Sequence, residues 1–199
     1  MRFCPECGGP LVEQLRDGGR VRPVCERCGY VLYINPTVAA GVLAEREGKV
    51  ALVRRAVDPG QGRWGLPAGN LEGDETAEHG AARECLEETG LEVSLTDLID
   101  VYSFGSESSR TGVLIVYAAQ VTGGELRAGD DASEARFFGP LELPDDIAFS
   151  THRQALADWR QAKAICYREA TEEEARRITA LNDQYHFERP RDYTEYIHS

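Results

Sequence analysis

The sequence predicts a mixed α/β (α+β) domain, preceded by a small metal-stabilised unit and followed by a helical C-terminal extension. Three observations predict this organisation. Two Cys-x2-Cys pairs stand near the start, one polar helix lies among several short apolar runs, and a capping box opens a helix late in the chain. With 199 residues, the chain is long enough for one domain of ordinary size and a smaller attachment.

Four cysteines define the first unit. They form the pairs Cys4-x2-Cys7 and Cys25-x2-Cys28, separated by seventeen residues, and glycine follows each pair. This spacing is typical of a zinc ribbon, in which four thiolates close a tetrahedral Zn²⁺ site that has no open position for catalysis. Disulfides are the competing interpretation. They are disfavoured because the start of the chain does not resemble a secretion signal.

The predicted ribbon covers residues 1–34. Between its cysteine pairs, the chain is expected to form a hairpin that turns at Asp17-Gly18-Gly19. Asn35-Pro36 then marks the boundary into the main domain, which is predicted over residues 35–160.

The main domain is predicted to contain several strands and two helices. The strands are expected at residues 38–44, 49–54, 98–104, 113–121 and 135–138. The fourth of them is nearly all apolar, which predicts a strand buried on both faces. The first helix begins near Asp74 or Thr76, which offer an N-cap oxygen, and ends at Gly90, a residue suited to the left-handed conformation. The second is expected over residues 150–167.

The first helix carries the most specific pattern in the chain. Glu84, Glu87 and Glu88 stand at i, i+3 and i+4, so their carboxylates share one helix face. Like charges at this spacing repel unless a cation lies on that face, and Mg²⁺ is usually held by a few carboxylates together with substrate phosphates. A solvated acidic helix face is the alternative interpretation of the three glutamates alone.

The spacing around these glutamates extends the pattern. In order, the chain has Gly69, five residues, Glu75, seven residues, Arg83-Glu84, two residues, Glu87-Glu88, one residue, Gly90 and the apolar Leu91. This arrangement resembles the Nudix box of the Nudix hydrolases, with Cys85 at an aliphatic position as the one departure. The resemblance covers about residues 36 to 160, and it implies the family's α/β/α sandwich with a mixed sheet.

The resemblance implies hydrolysis of a nucleoside diphosphate linked to another moiety, with Mg²⁺ or Mn²⁺. The implied metal ligands are the main-chain carbonyl of Ala68 and the carboxylates of Glu84, Glu87 and Glu88. The resemblance implies that Arg83 pairs with one of these glutamates and holds it in the metal-binding rotamer. It also implies that Glu75 supports the ligand residues without binding the ion itself. Bound ions neutralise pyrophosphate oxygens and lower the pKa of a water that attacks phosphorus.

The general base varies within this family and often lies outside the box. The acidic loop after the apolar strand offers Asp130, Asp131 and Glu134, and Glu107 is a more distant candidate. We include Glu134 among the predicted catalytic residues. For each of these acids, an ordinary solvated loop position is the alternative. No Ser/His/Asp set stands out, since the four histidines are scattered.

Substrate contacts are predicted from cationic and aromatic residues near the box. Arg54 and Arg63, together with Arg55, flank the loop before it and are able to contact phosphates; exposed loop arginines are the alternative. The candidates for an aromatic platform under adenine are Tyr102, Phe104, Tyr117 and Phe149. Core packing is the alternative for each aromatic residue.

A zinc ribbon joined to a Nudix domain resembles two groups of the family: NADH pyrophosphatases, and ADP-ribose and FAD pyrophosphatases. The first group has a Ser-Gln-Pro-Trp-Pro-Phe-Pro-type motif after the box, where residues 99–106 read Ile-Asp-Val-Tyr-Ser-Phe-Gly-Ser. Residues 105–108 also lack the tyrosine or proline that marks two other groups. By elimination, ADP-ribose or FAD is the predicted substrate, cleaved to AMP and a second phosphate. NADH or NAD pyrophosphatase and house-cleaning triphosphate pyrophosphatase are the alternatives.

Charge and hydropathy limit the partners. The formal net charge is −12 and no long Lys/Arg cluster occurs, which disfavours nucleic acid, including an RNA decapping activity, and anionic membranes. No apolar run approaches the length of a membrane span, so a cytoplasmic protein with a nucleotide substrate is expected. A ligand-sensing Nudix-like binding module is the non-enzymatic alternative, but such modules usually have a degraded box.

The C-terminal extension is predicted over residues 161–199. A capping box at residues 171–174 opens a helix with Ile178 and Leu181 on one side. The aromatic residues that follow are Tyr185, Phe187, Tyr193 and Tyr196. They indicate docking onto the chain's own core or onto a second subunit, so a homodimer is one of two interpretations.

Overall fold

The computed structural model describes residues 1–105, 111–129 and 131–166, except for the side chains of Asp17 and residues 164–166. It divides into two compact units, Met1–Pro36 and a second that begins at Thr37. The capping box and aromatic residues of the extension lie outside the described residues, as do Glu107 and Asp130. The boundaries predicted for the three segments stay a prediction.

The first unit contains one antiparallel hairpin. Strand β1 (Leu11–Arg16) pairs with β2 (Arg20–Cys25), and a single 3₁₀ turn at Asp17–Gly19 joins them. Gly18 has a φ of 68°, a conformation that favours glycine. The predicted hairpin is therefore confirmed.

The second unit is built on a seven-stranded sheet. Its strands are β3 (Thr37–Arg46), β4 (Lys49–Arg55), β5 (Trp64–Gly65), β6 (Ala68–Asn70), β7 (Leu91–Phe104), β8 (Gly112–Gly124) and β9 (Ala132–Phe138). The order is β5-β4-β3-β8-β7, with β6 added to β3 and β9 added to β4. Because β3 and β8 run parallel while the other pairs are antiparallel, the predicted mixed sheet is confirmed.

Helix α1 (Ala77–Thr89) has the predicted ends. The Thr76 side chain accepts a hydrogen bond from the His79 N–H, and Gly90 has a φ of 70°. Helix α2 (Ser150–Cys166) follows the last strand and runs past residue 160. No helix in the described part of the chain is both long and apolar enough to cross a bilayer.

The two helices pack on opposite faces of the sheet, because successive residues of a strand point to opposite sides. Val42 of β3 belongs to a buried cluster with Ala81 and Cys85 of α1. The next residue, Leu43, belongs to a second cluster, which contains Leu156 of α2. This arrangement is the α/β/α sandwich that the resemblance implies.

Strands β3 and β4 separate soon after the turn that joins them. They pair only at Glu45–Val50 and Arg46–Lys49, and beyond this point β6 pairs with β3 while β9 pairs with β4. The sheet therefore opens between the start of β3 and the end of β4. The loops and helix ends around this opening form the candidate active site.

Strand β7 is longer than predicted, since it begins at Leu91 rather than residue 98. It lies at the edge of the sheet, and its register against β8 shifts at three places. Irregular pairing at an exposed edge interrupts the alternation of apolar and polar residues by which a strand is recognised. For this reason the sequence does not predict a strand over the polar first half of β7.

Candidate active site

Arg83 brings three carboxylates of the box together. Its Nε and Nη2 donate to the two oxygens of Glu75 over 3.0 and 2.7 Å. Its Nη1 donates to both Glu84 and Glu87 over 2.9 Å, and Nη2 also reaches the Asn70 carbonyl. A bidentate pair of this kind fixes the guanidinium plane. One arginine therefore aligns Glu84 and Glu87 on their helix face.

Glu75 is tied into this arrangement as an anion. Its carboxylate accepts from Arg83 and from the Glu72 N–H, and these bonds hold its pKa at about 2. In the unfolded chain the pKa of this carboxyl is about 4.3. The bonds therefore stabilise the fold fully above about pH 4.3, and this stabilisation is lost as the pH falls towards 2.

Glu75→Gln is expected to lower thermal stability at pH 7, and its deficit relative to the wild type should shrink as the pH falls from 5 towards 3. The reason is that the Glu75 carboxyl of the unfolded chain takes up a proton over this range while that of the folded protein stays ionised, which lowers the free energy of unfolding of the wild type, whereas the amide of the variant does not titrate. Melting curves of both proteins at a series of pH values measure this difference. A deficit that stays constant with pH would contradict the ionic role of Glu75.

Glu84 and Glu88 are both partly buried on the helix face, whereas the Glu87 side chain is 58% exposed. Burial raises the pKa of Glu84, and it raises the pKa of Glu88 to about 7 although the Ala68 N–H donates to its carboxylate over 3.1 Å. A hard divalent cation prefers oxygen ligands, and it would stabilise two partly desolvated carboxylates on one helix face. The donor set therefore fits a divalent ion.

The backbone at Gly69 passes directly over Glu84. A Cβ at this position would overlap the Glu84 carboxylate, whereas a Cβ at Gly73 would meet nothing within 4 Å. The glycine is therefore required by close approach between the β6 segment and the helix face. This explains in physical terms why a glycine opens the box.

Gly69→Ala is expected to reduce kcat by about 100-fold with a small loss of stability, because the methyl group displaces a flexible carboxylate rather than backbone. Gly73→Ala is the matched control, and it should keep the wild-type rate. Steady-state kinetics and melting temperatures of both variants test this expectation. Equal rates for the two variants would show that the position of Glu84 is unimportant.

The segment after β8 closes over the end of α1. The Arg127 N–H donates to the Thr89 carbonyl and the Gly129 N–H donates to the Glu88 carbonyl, each over 2.9 Å. The Asp131 carbonyl then accepts from the Ala56 N–H over 2.8 Å. These backbone bonds place Asp131 beside Glu88, whose pKa the Asp131 charge helps to raise.

A cavity of about 760 Å³ lies at the opening between β3 and β4. We distinguish three parts of its lining. The ion corner consists of Ala68, Gly69, Glu84, Glu88 and Asp131. The apolar wall consists of Ala39, Phe104 and Leu114. The α2 corner consists of Arg55, Phe149 and His152.

The predicted arginines lie in different places. Arg54 faces Glu134 and Asp146, with N–O distances of 3.7 and 3.8 Å. Arg63 is exposed, and it is Arg55 that lines the cavity. Arg54 and Arg55 are neighbours on β4, and the pairing of β4 with β9 is irregular between them. The sequence could not show which of the two arginines faces the cavity, because the cavity is formed by segments that are distant in the chain.

Only some of the predicted aromatic residues line the cavity. Tyr102 is buried, and its hydroxyl donates to Asp158 over 2.6 Å. The Tyr117 hydroxyl donates to Glu78 over 3.2 Å. Phe104 and Phe149 line the cavity. The alternative of core packing therefore describes Tyr102. Among the described residues, the aromatic side chains that line the cavity are those of the two phenylalanines.

Glu134 and His152 differ from expectation in opposite ways. Glu134 pairs with Arg54, and among the candidate bases that the structure describes it is Asp131 that lines the cavity. His152, one of the four scattered histidines, is buried against the cavity, and its Nδ1 accepts from the Leu66 N–H over 3.0 Å. A lone histidine in a helix gives no signal in the sequence, because its contact with Leu66 spans 86 residues.

The four cysteines of the first unit lie close enough together to hold one metal ion. Their Sγ atoms all lie within 4.8 Å of one another, with separations of 3.7 Å for Cys4–Cys28, 3.5 Å for Cys7–Cys25 and 3.4 Å for Cys7–Cys28. A Zn–S bond of about 2.3 Å in tetrahedral geometry gives sulfur separations of about 3.8 Å. A disulfide requires about 2.05 Å, so none is present among these four.

Comparison with protein families and curated proteins gives consistent matches. The model described as NUDIX domain matches residues 35–159, and a zinc-ribbon model described as Nudix N-terminal matches residues 2–34. An ADP-ribose pyrophosphatase of Methanocaldococcus jannaschii is 41% identical over 135 residues, which are 67% of this chain and 79% of the relative.

Two further matches extend this likeness. A NAD-capped RNA hydrolase NudC of Vibrio atlanticus is 31% identical over 79% of this chain, which spans only 56% of that relative. A crystal structure of a NUDIX hydrolase from Nitrosomonas europaea superposes with a TM-score of 0.72 at 34% identity, covering 85% of this chain and 93% of the other.

Proposed function

Because this chain belongs to the Nudix hydrolase family, we propose that it is a nucleotide pyrophosphatase that uses Mg²⁺ or Mn²⁺ and cleaves ADP-ribose or FAD to AMP and a second phosphate. The main observation behind this proposal is that Glu84 and Glu88, two partly buried carboxylates, both line the ion corner of the cavity. The likeness to a protein named ADP-ribose pyrophosphatase supports the choice of substrate.

The cavity supports a nucleotide of this size. Its volume of about 760 Å³ lies within the usual range for ligand pockets of about 300–1,000 Å³. The apolar wall offers Phe104 for an adenine ring, while Arg55 supplies a positive charge for phosphate oxygens. A ligand with a base, a pyrophosphate and a second polar part matches these three surfaces.

The proposed chemistry is attack of water on phosphorus. Glu84, Glu87, Glu88 and the Ala68 carbonyl would hold the ions, which when bound would neutralise the pyrophosphate oxygens and supply a water of lowered pKa. Asp131 accepts the water proton as the new P–O bond forms. The bridging P–O bond breaks, and its electron pair leaves on the other phosphate.

This proposal assigns the general base to Asp131 in place of Glu134. Asp131→Asn is expected to lower kcat by about 100-fold, in the usual range for a lost general base, whereas Glu134→Gln should stay within a few-fold of the wild type. The two substitutions are chemically matched and lie on the same segment. A large loss in Glu134→Gln with a normal rate in Asp131→Asn would reverse the assignment.

A second candidate, hydrolysis of NADH or NAD linkages, is favoured by the NudC relatives. The chain lacks the motif of the NADH group, and it spans just over half of those relatives. We therefore place this activity second. A cytoplasmic location and a homodimer stay predictions.

A panel of substrates tests the proposal. Purified protein with Mg²⁺ or Mn²⁺ is incubated with ADP-ribose, FAD, NADH, a dinucleoside tetraphosphate and an oxidised dGTP, and the products are separated by chromatography. The expected result is the highest kcat/KM for ADP-ribose or FAD, with AMP as product. A preference for NADH would support the second candidate. Preference for the triphosphate, or no cleavage at all, would overturn the proposed substrate class.

A further inference from the structure

The α2 corner of the cavity contains a buried histidine that the proposed chemistry leaves unused. His152 is only 6% exposed, yet it lines the cavity. Since its Nδ1 accepts the Leu66 N–H, its ring proton lies on Nε2. Within the described parts of the chain, Nδ1 is engaged in this bond and Nε2 has no hydrogen-bond partner. His152 is therefore a donor available to a ligand.

His152 also stays neutral. Burial, with the nearby charges of Arg55 and Arg153, lowers its pKa to about 3. At physiological pH the ring therefore keeps one proton, on Nε2, because the Leu66 bond commits the other nitrogen as an acceptor. Such a ring is able to donate a hydrogen bond to a ligand without adding a charge to the cavity that it lines.

The N-terminus of α2 adds backbone donors at the same place. The bond from the Arg153 N–H to the Phe149 carbonyl is the first of the helix, with a length of 3.1 Å. The N–H groups of Ser150, Thr151 and His152 precede it, and all three residues line the cavity. The first N–H groups of a helix have no partner within it and carry partial positive charge, which favours anions.

Arg55 completes the corner. Its guanidinium lies over the Phe149 ring, with 5.0 Å from Cζ to the ring centroid, and its Nε donates to the Pro59 carbonyl over 2.8 Å. Phe149 in turn meets the His152 ring edge to face at 5.1 Å. These contacts fix a cation, a neutral donor and a helix N-terminus around one part of the cavity, with no carboxylate among the α2-corner residues.

We propose that the α2 corner binds one phosphate group of the pyrophosphate through Arg55, the first N–H groups of α2 and His152 Nε2–H, while the ion corner takes the other. The identity of the whole substrate rests on the proposed function. The division of the pyrophosphate between the corners rests on their opposite electrostatics, since one presents carboxylates that need cations and the other presents only donors.

Isothermal titration with inorganic pyrophosphate at a fixed Mg²⁺ concentration tests this binding site independently of any nucleotide. His152→Asn is the main variant, because the asparagine oxygen can replace Nδ1 as the acceptor for Leu66 while the Nε2 donor is lost. We expect this variant to bind pyrophosphate about tenfold or more weakly than the wild type, the usual effect of a lost hydrogen bond to a charged group.

Two variants at Ser150 test the helix N-terminus, and this test does not depend on the stability of His152→Asn. Ser150→Pro removes the hydroxyl and the N–H at the first helical position, where proline is well tolerated, and Ser150→Ala removes the hydroxyl alone. We expect Ser150→Pro to bind pyrophosphate about fivefold or more weakly than Ser150→Ala. Melting temperatures of the three variants and the wild type are measured alongside.

The outcomes separate this proposal from the proposed function. Wild-type affinity in folded His152→Asn, equal affinity of the two Ser150 variants, or no binding of pyrophosphate by the wild type would overturn the phosphate site even if ADP-ribose is hydrolysed. Weaker binding in His152→Asn and Ser150→Pro supports the site even if the substrate panel shows no cleavage.

Discussion

Glu88→Gln is expected to lower kcat by about 1,000-fold or more while the protein stays folded. The carboxylate lies in the ion corner beside Glu84, so its loss removes a charged ligand and the charge stabilisation that bound ions give to the transition state. The amide oxygen can still accept the Ala68 N–H that now reaches Glu88 over 3.1 Å. The local backbone should therefore keep its position.

Stability provides the second measurement. Burial raises the pKa of Glu88 to about 7, above its unfolded value of about 4.3. The free energy of unfolding therefore falls as the pH rises from about 4.3 to 7, and the loss is complete above that range. Without divalent ions at pH 8, Glu88→Gln should be at least as stable as the wild type. Added Mg²⁺ should raise the melting temperature of the wild type and have little effect on the variant.

The control is Glu78→Gln, the same change on the same helix at a residue that accepts from Tyr117 rather than lining the cavity. Its kcat should stay within a few-fold of the wild type. Near-normal turnover by Glu88→Gln in Mg²⁺ would contradict the assignment of this carboxylate to ion binding. A loss of structure in Glu88→Gln, seen by circular dichroism, would contradict the separation of function from folding.

Loss of the cysteine site is expected to have the largest effect on folding. Among the described residues of the first unit, the buried hydrophobic side chains are Cys4, Val24 and Cys25. Units below about 40 residues rarely fold without disulfides or metal, and structural zinc contributes about 10 kcal/mol or more in isolated zinc-finger peptides. Cys4→Ser should therefore lose zinc and unfold residues 1–36.

Metal analysis and NMR measure this result. Wild-type protein should contain about one tightly bound Zn²⁺ per chain, and Cys4→Ser much less, with loss of the amide signals of the hairpin. The second unit has its own buried clusters, so its thermal transition should persist. Cys85→Ala is the control: this cysteine is buried in the second unit, and its variant should retain the zinc. Zinc-free wild-type protein with an intact hairpin would contradict the structural role.

Much of the fold was predictable because local chemistry specifies it. Helix α1 begins after the N-cap Thr76 and ends at Gly90, which has a left-handed conformation. Both residues are the ones that the sequence predicts for these ends. The hairpin at Asp17–Gly19 and the strands on either side of the Glu47-Gly48 turn follow from turn residues in the same way. Strand β7 was predicted only in part, because its pairing at the sheet edge is irregular.

The sequence by itself determined the cluster of four cysteines, the glutamates of the helix face and the family, because each depends on spacing within a short segment. Only the tertiary structure decided which of Arg54 and Arg55, which of Asp131 and Glu134, and which aromatic residues line the cavity. It also brought His152 to Leu66. These outcomes depend on where β3 and β4 separate and on which residues then meet across the opening, and contacts between distant segments leave no periodic trace in the sequence.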